Sequence, residues 1–246
     1  MSPFATGLLV AGVVLAAAFV RSALGFGDAV VAMPLLAAFL ALRTVTPLVA
    51  FIGPTISILI LAKHWSKVDL RAAVRLIIAS AAGIPVGIYL LAGLPEGPLR
   101  TALGAVILLY GLFGLWRPAA QPRTGKAWTA WPVGFVAGVL GGAYNTNGPP
   151  VVVYAALRDW PPDRFRATLQ GYFLPTGLLI LLGHGAAGLW TSQVLKLYAV
   201  SLPALLAGVW LGEKVSRTIP GNLFRRIVYV SLVIMGAFLI CQAVAG

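Results

Sequence analysis

Six acidic residues occur in the chain, and only Asp28 lies deep inside an apolar stretch. Asp69, Glu96, Asp159, Asp163 and Glu213 sit in or beside polar connections. A carboxyl group surrounded by apolar sequence is costly to keep, so it points to a function: carriage of a proton or ion. The alternatives are an ion pair with Arg21, seven residues and two helical turns upstream, or the N-cap of a helix. Arg21 itself has two readings. Counted from Pro3 at ~1.5 Å per residue, it stands ~27 Å along a helix, close to the far membrane interface. It then snorkels to the cytoplasm, or, if the first segment is re-entrant, lies beside a cavity as an anion partner.

The second polar group inside an apolar run is Asn145-Thr146-Asn147, whose side chains suit hydrogen bonds to a substrate. Both groups fall on glycine-rich breaks. One is RSALGFGDAVVAMPLL, residues 21–36, and the other is GVLGGAYNTNGPPVVVY, residues 138–154. Gly and Pro unwind helices, and unwound backbone at membrane depth must be buried in protein or line a wet cavity. New helix N-termini at such breaks expose N–H groups that favour an anion. The expected binding residues are Gly25, Phe26, Gly27 and Asp28 from the first break. From the second they are Gly141, Gly142, Tyr144, Asn145, Thr146, Asn147, Gly148 and Pro149. A packing kink is the bland reading of either break alone, and their matched occurrence favours a site. No clustered nucleophile, acid–base pair or Cys/His metal set accompanies them, so neither an enzyme, a cofactor nor a metal is expected.

The elements that carry these residues are membrane helices. Hydrophobic residues make up 60% of the 246, charged residues 10%, and mean hydropathy is +0.94. A soluble domain has about 25% charged residues. The apolar runs are too long for barrel strands, which leaves an all-α, polytopic chain. The net charge of +12 lies in short connections without a basic stripe interleaved with aromatics, so nucleic acid is not an expected partner. No Lys or Arg precedes Arg21, and the first segment therefore reads as a retained span rather than a signal peptide. A single cysteine, Cys241, excludes an internal disulfide.

Ten apolar segments are expected, over residues 4–23, 27–42, 46–62, 70–93, 98–116, 131–147, 148–157, 167–184, 193–212 and 222–243. The stretch from Arg117 to Pro132 divides them into units at 1–117 and 131–246, joined by a cytoplasmic linker at 118–130. At an offset of 125, Trp65 meets Trp190, Gly83 and Gly87 meet Gly208 and Gly212, and Pro95 meets Pro220. At an offset of 116, Phe19-Val20 meets Phe135-Val136, Leu24-Gly25 meets Leu140-Gly141, and Pro34 meets Pro150. Fourteen of the 18 basic residues follow segments three, five, seven and nine; the others are Arg21, Arg43, Arg100 and Lys196. That bias puts both termini outside. Five segments per unit then require two inverted repeats, the architecture of many secondary transporters, with broken hairpins meeting near the midplane. The glycine pairs read as helix packing, Trp128, Trp131 and Trp190 as interface anchors, and His184 as interfacial.

The segments GFGDAVVAMPLL and GGAYNTNGPPVVVY, each glycine-rich and followed by proline and an aliphatic run, resemble the signatures of the sulfite exporter TauE/SafE family, also called the 4-toluene sulfonate uptake permease family. The small-xxx-small helices and the mid-chain loop fit as well. The resemblance implies a multi-pass cell-membrane protein that moves sulfite, sulfonates or related sulfur-containing or organic anions. Secondary active transport with proton or ion coupling is the main reading; an anion channel, a membrane-embedded assembly factor and an enzyme are the alternatives. The expected partners are the lipid bilayer, a small anion and, as an option, a second copy in a homodimer.

Overall fold

A computed structural model describes residues 3–64, 68–116, 127–156 and 162–215, together with 226, 229–230, 232–234 and 236–241. Among these the regular structure is helical: α1 (Pro3–Leu24), α2 (Asp28–Ala37), α3 (Leu42–His64), α4 (Leu70–Gly93), α5 (Glu96–Trp116), α6 (Ala130–Tyr144), α7 (Gly148–Ala156), α8 (Pro162–Ala186) and α9 (Ser192–Val215). A further helix, α10, covers Leu232–Cys241. Within the described residues α1, α3, α4, α5, α8 and α9 are long and apolar enough to cross a membrane. Of the rest, α2 has 10 residues and α7 has 9, so at ~1.5 Å per residue neither crosses ~30 Å of hydrocarbon alone. Helices are the only open-ended solution in lipid, because they satisfy their own backbone groups. Phe4, Leu8, Tyr89, Trp116, Leu182 and Ile234 accordingly point outward. Trp128, Trp131 and Trp190 are also exposed, as anchors require. Most of the linker expected at 118–130 lies outside the described residues; Ala127–Thr129 forms one 3₁₀ turn leading into α6.

Small residues set how the long helices meet. A Cβ on Gly83 would lie 2.9 Å from the Val139 nitrogen, and one on Gly87 2.7 Å from the Ala143 nitrogen. Glycine there lets α4 and α6 approach backbone to backbone, which is how helices associate without a hydrophobic driving force. The increasing order on both helices makes them parallel. The same contact recurs between α9 and α1. A Cβ on Gly208 would lie 3.0 Å from Ala18 Cβ, and one on Gly212 2.7 Å from Ser22 Cβ. By contrast α3 and α8 run antiparallel, with Pro54 against Gly177 and Ser57 against Gln170. So do α5 and α10, where Gly104 abuts Gly236 and Gly111 abuts Val233.

Charged residues gather at opposite ends of the bundle. Glu96, in the first turn of α5, accepts from Leu42 N at 3.0 Å and Arg100 Nη2 at 2.8 Å, while Arg43 Nη2 donates to the Ala92 carbonyl at 2.7 Å. At the other end Asp69 caps α4 through Ala72 N and pairs with Arg164 at 2.6 Å, joining α4 to α8. The Arg164 side chain is half exposed, so that ion pair contributes at most about 1 kcal/mol.

Candidate functional site

The first break is closed by two glycines in the left-handed region, Gly25 at φ +88° and Gly27 at φ +106°. An L side chain rarely adopts either, which explains the GFG sequence. Gly27 is the N-cap of α2, and Asp28 is its first residue. The sequence alternative that made Asp28 the cap is therefore corrected: the cap is Gly27. Asp28 forms the ion pair instead. Arg21 Nη1 donates to Asp28 Oδ2 at 2.5 Å across the break. Arg21 is 3% exposed and Asp28 7%. The guanidinium therefore does not snorkel to an interface, and the reading that sent it there is corrected.

Two neighbouring helices hold the guanidinium. Its Nη2 donates to Ser57 Oγ on α3 and to Gln170 Oε1 on α8 at 3.0 Å. Gln170 Nε2 in turn donates to the Gly25 carbonyl at 2.7 Å, fastening α8 to the break. The Phe173 ring lies 4.9 Å from Arg21 Cζ, close enough for a cation–π contact. Arg21 Nε is buried without a hydrogen-bond partner.

The second break turns on Asn145, whose φ of 53° makes it the left-handed C-cap of α6. Its N–H donates to Gly141 O at 2.7 Å, and Thr146 Oγ1 donates to Tyr144 O at 2.9 Å. Asn147 Nδ2 donates to Thr176 Oγ1 on α8 at 3.3 Å. The α7 helix then starts at Gly148, with Pro149 and Pro150 in the first turn, where a missing N–H costs nothing.

The two breaks meet. One narrow cavity, with room for about one or two waters, is lined by Arg21 and Asp28, by Asn145, Asn147 and Gly148, and by Gly53, Pro54, Phe173 and Gly177. Gly27, Ala29 and Val30 complete it on the α2 side. The first N–H groups of α2 have no intrahelical acceptor, so that end adds partial positive charge to the Arg21 cation. Across the wall formed by Gly27 and Val30 lies a second, apolar cavity lined by Val20, Leu24, Phe26, Tyr110, Tyr229 and Leu232.

Residues 9–239 match the family described as Sulfite exporter TauE/SafE. The chain belongs to that family. It is similar to a probable sulfite/organosulfonate exporter TauE of Cupriavidus necator, 25% identical over 206 residues that cover 82% of this chain and 80% of the relative. It is also similar to a probable inner membrane transporter protein TsaS of Comamonas testosteroni, 26% identical over 174 residues, covering 70% of this chain and 73% of the relative. No solved structure matches. Family and helices together make it a multi-pass membrane transport protein.

Of the residues expected at the site in this TauE/SafE chain, Arg21, Gly27, Asp28, Asn145, Asn147 and Gly148 line the shared cavity. Gly25, Gly141, Gly142, Tyr144, Thr146 and Pro149 do not line it, and Phe26 faces the apolar cavity. Gly142 packs against α4, and its carbonyl accepts from His184 Nε2 at 2.9 Å. His184 is fully buried, so its assignment to an interface is corrected. Ser57, Gln170, Phe173, Gly53, Pro54 and Gly177 were missed. One sequence signal marks α3 and α8: Pro54-Thr55 recurs as Pro175-Thr176. Both threonines bond back to the fourth preceding carbonyl, Thr55 at 2.8 Å and Thr176 at 2.7 Å.

Proposed function

We propose that this TauE/SafE protein is a secondary active transporter of the cell membrane for a small anion. The substrate class is sulfite, a sulfonate or a related sulfur-containing or organic anion, carried by alternating access with proton or ion coupling. The observation that carries this reading is the buried Arg21 guanidinium at a cavity where both helix breaks converge. Its positive charge and the α2 N-terminus supply what an anion needs when it leaves water. The Cupriavidus necator relative, a probable sulfite/organosulfonate exporter, favours a sulfur oxyanion. The cavity is too narrow for such an anion without some separation of the surrounding helices, as alternating access entails.

Two inverted units, 1–117 and 131–246, support that motion. The contact of α1 with α9 has its counterpart in α6 with α4, and the equivalent helices α3 and α8 are antiparallel at the centre. Orientation is testable by cysteine labelling after replacement of Cys241, which is exposed. A cysteine at position 126, outside the described residues, is expected to label from the cytoplasm and one near either terminus from outside. Labelling of position 126 from the same side as the termini contradicts the inverted arrangement.

The site is tested at its second break. Asn145→Gly keeps the left-handed backbone and removes the side chain, and Asn147→Ala removes the amide. A hydrogen bond to a charged ligand contributes about 1.5–3 kcal/mol, so each variant is expected to bind sulfite or a sulfonate ~10-fold or more weakly while remaining folded. Unchanged affinity in both moves the site elsewhere.

A further inference from the structure

The cavity holds a cation whose anion seat is already taken. Asp28 Oδ2 occupies Arg21 Nη1, while Nη2 is held by Ser57 and Gln170. Those two bonds come from α3 and α8, so the guanidinium keeps its position when Asp28 lets go. What Asp28 would release is the Nη1 amino group. Its N–H donors would then be open to an oxygen of an oxyanion in a charge-assisted hydrogen bond.

A second anion cannot simply join. Two like charges ~4 Å apart repel by about 4 kcal/mol at an effective dielectric of 20. No compensating cation lines the cavity besides Arg21. Around Asp28, α1 presents Arg21; α3 presents Gly53 and Ser57; α8 presents Gln170 and Phe173. The second break presents Asn145 and Asn147. Tyr110 of α5 lies at the separate apolar cavity, and Arg166 packs its stem against Gly25. Only Arg21 and Asp28 carry charge among the lining residues.

We propose that Asp28 and the substrate anion compete for the Arg21 guanidinium, so that one proton enters on Asp28 with each anion bound. This rests on the transporter reading above and specifies its coupling. On the loading side a proton from water joins the Asp28 carboxylate, the ion pair opens, and the anion takes Nη1. On the release side the anion leaves, the proton returns to water, and the pair re-forms. Both the empty site and the site loaded with a monoanion and a proton are neutral. A monoanion therefore moves electroneutrally, in symport with the proton.

The test uses the purified full chain with methanesulfonate and benzenesulfonate, which stay monoanionic across the neutral range. Protonation favours binding, so affinity must fall as pH rises, approaching tenfold per pH unit once free Asp28 is ionised. Asp28→Asn is expected to bind with no pH slope and to lose uphill uptake driven by a pH gradient in proteoliposomes. The unmodified protein supplies a reading independent of that variant: one proton taken up from weakly buffered solution per probe bound, and uptake indifferent to an imposed membrane potential. Saturable binding with neither slope nor proton uptake overturns the competition while leaving anion transport standing. Potential-driven uptake does the same. No saturable binding of either probe at any pH overturns both readings.

Discussion

Arg21→Met is expected to abolish binding of sulfite or sulfonates and to lower stability by about 3–5 kcal/mol, the cost of stripping one partner from a buried ion pair. Asp28 would be left nine-tenths buried without its cation, and Gln170 Oε1 and Ser57 Oγ would lose a charged donor. The double variant Arg21→Met/Asp28→Leu removes both charges and is expected to recover most of the stability, since the couple is replaced by apolar volume. It should still bind nothing, because the anion's partner is gone. Arg21→Lys separates charge from geometry: an ammonium cannot serve Asp28, Ser57 and Gln170 in the fixed directions that a guanidinium reaches. It should fold better than Arg21→Met and bind weakly. Thermal melting in detergent and ligand binding on the same preparations check all three. A folded Arg21→Met protein with full affinity would remove Arg21 from the site.

The breaks were legible because backbone chemistry is local. Gly25 and Gly27 are glycine where φ is positive, Asn145 takes the one left-handed non-glycine position described, and Pro149 follows Gly148 where a helix begins. Expected segments starting at 27 and 148 accordingly meet α2 at Asp28 and α7 at Gly148. Asp28 was legible from its isolation among apolar residues. Its partner was only half legible: distance along α1 gives Arg21 a depth, but the depth does not say which helices enclose it. Ser57 and Gln170 are two among several polar residues on α3 and α8, and they acquire meaning only when those helices pack antiparallel around the guanidinium. His184 was misplaced for the same reason. Its neighbours in sequence look like a helix end, whereas its carbonyl partner, Gly142, arrives from 42 residues away. Local pattern fixes where a helix bends; tertiary packing decides which side chains meet at the bend.

Gly87→Ala and Gly212→Ala are expected to act alike, each destabilising the protein by about 1–3 kcal/mol through overpacking. An added methyl at Gly87 would press on the backbone of Val139 and Ala143, and at Gly212 on the Phe19 carbonyl and Ser22. At Gly87 no side-chain rotation relieves the contact, so α4 and α6 must separate; at Gly212 the carbonyl forces the same on α1 and α9. Because α6 delivers Asn145 and α1 delivers Arg21, either shift displaces one half of the cavity, and anion affinity should fall with stability. Gly12→Ala is the control. It lies on α1, is exposed and has nothing within 4 Å of the added carbon, so helix propensity makes the change neutral to slightly stabilising. Equal melting of Gly12→Ala and Gly87→Ala would show that close helix approach does not hold the breaks together. Loss confined to Gly87→Ala, with Gly212→Ala unaffected, would deny the two halves equivalent roles in positioning the site.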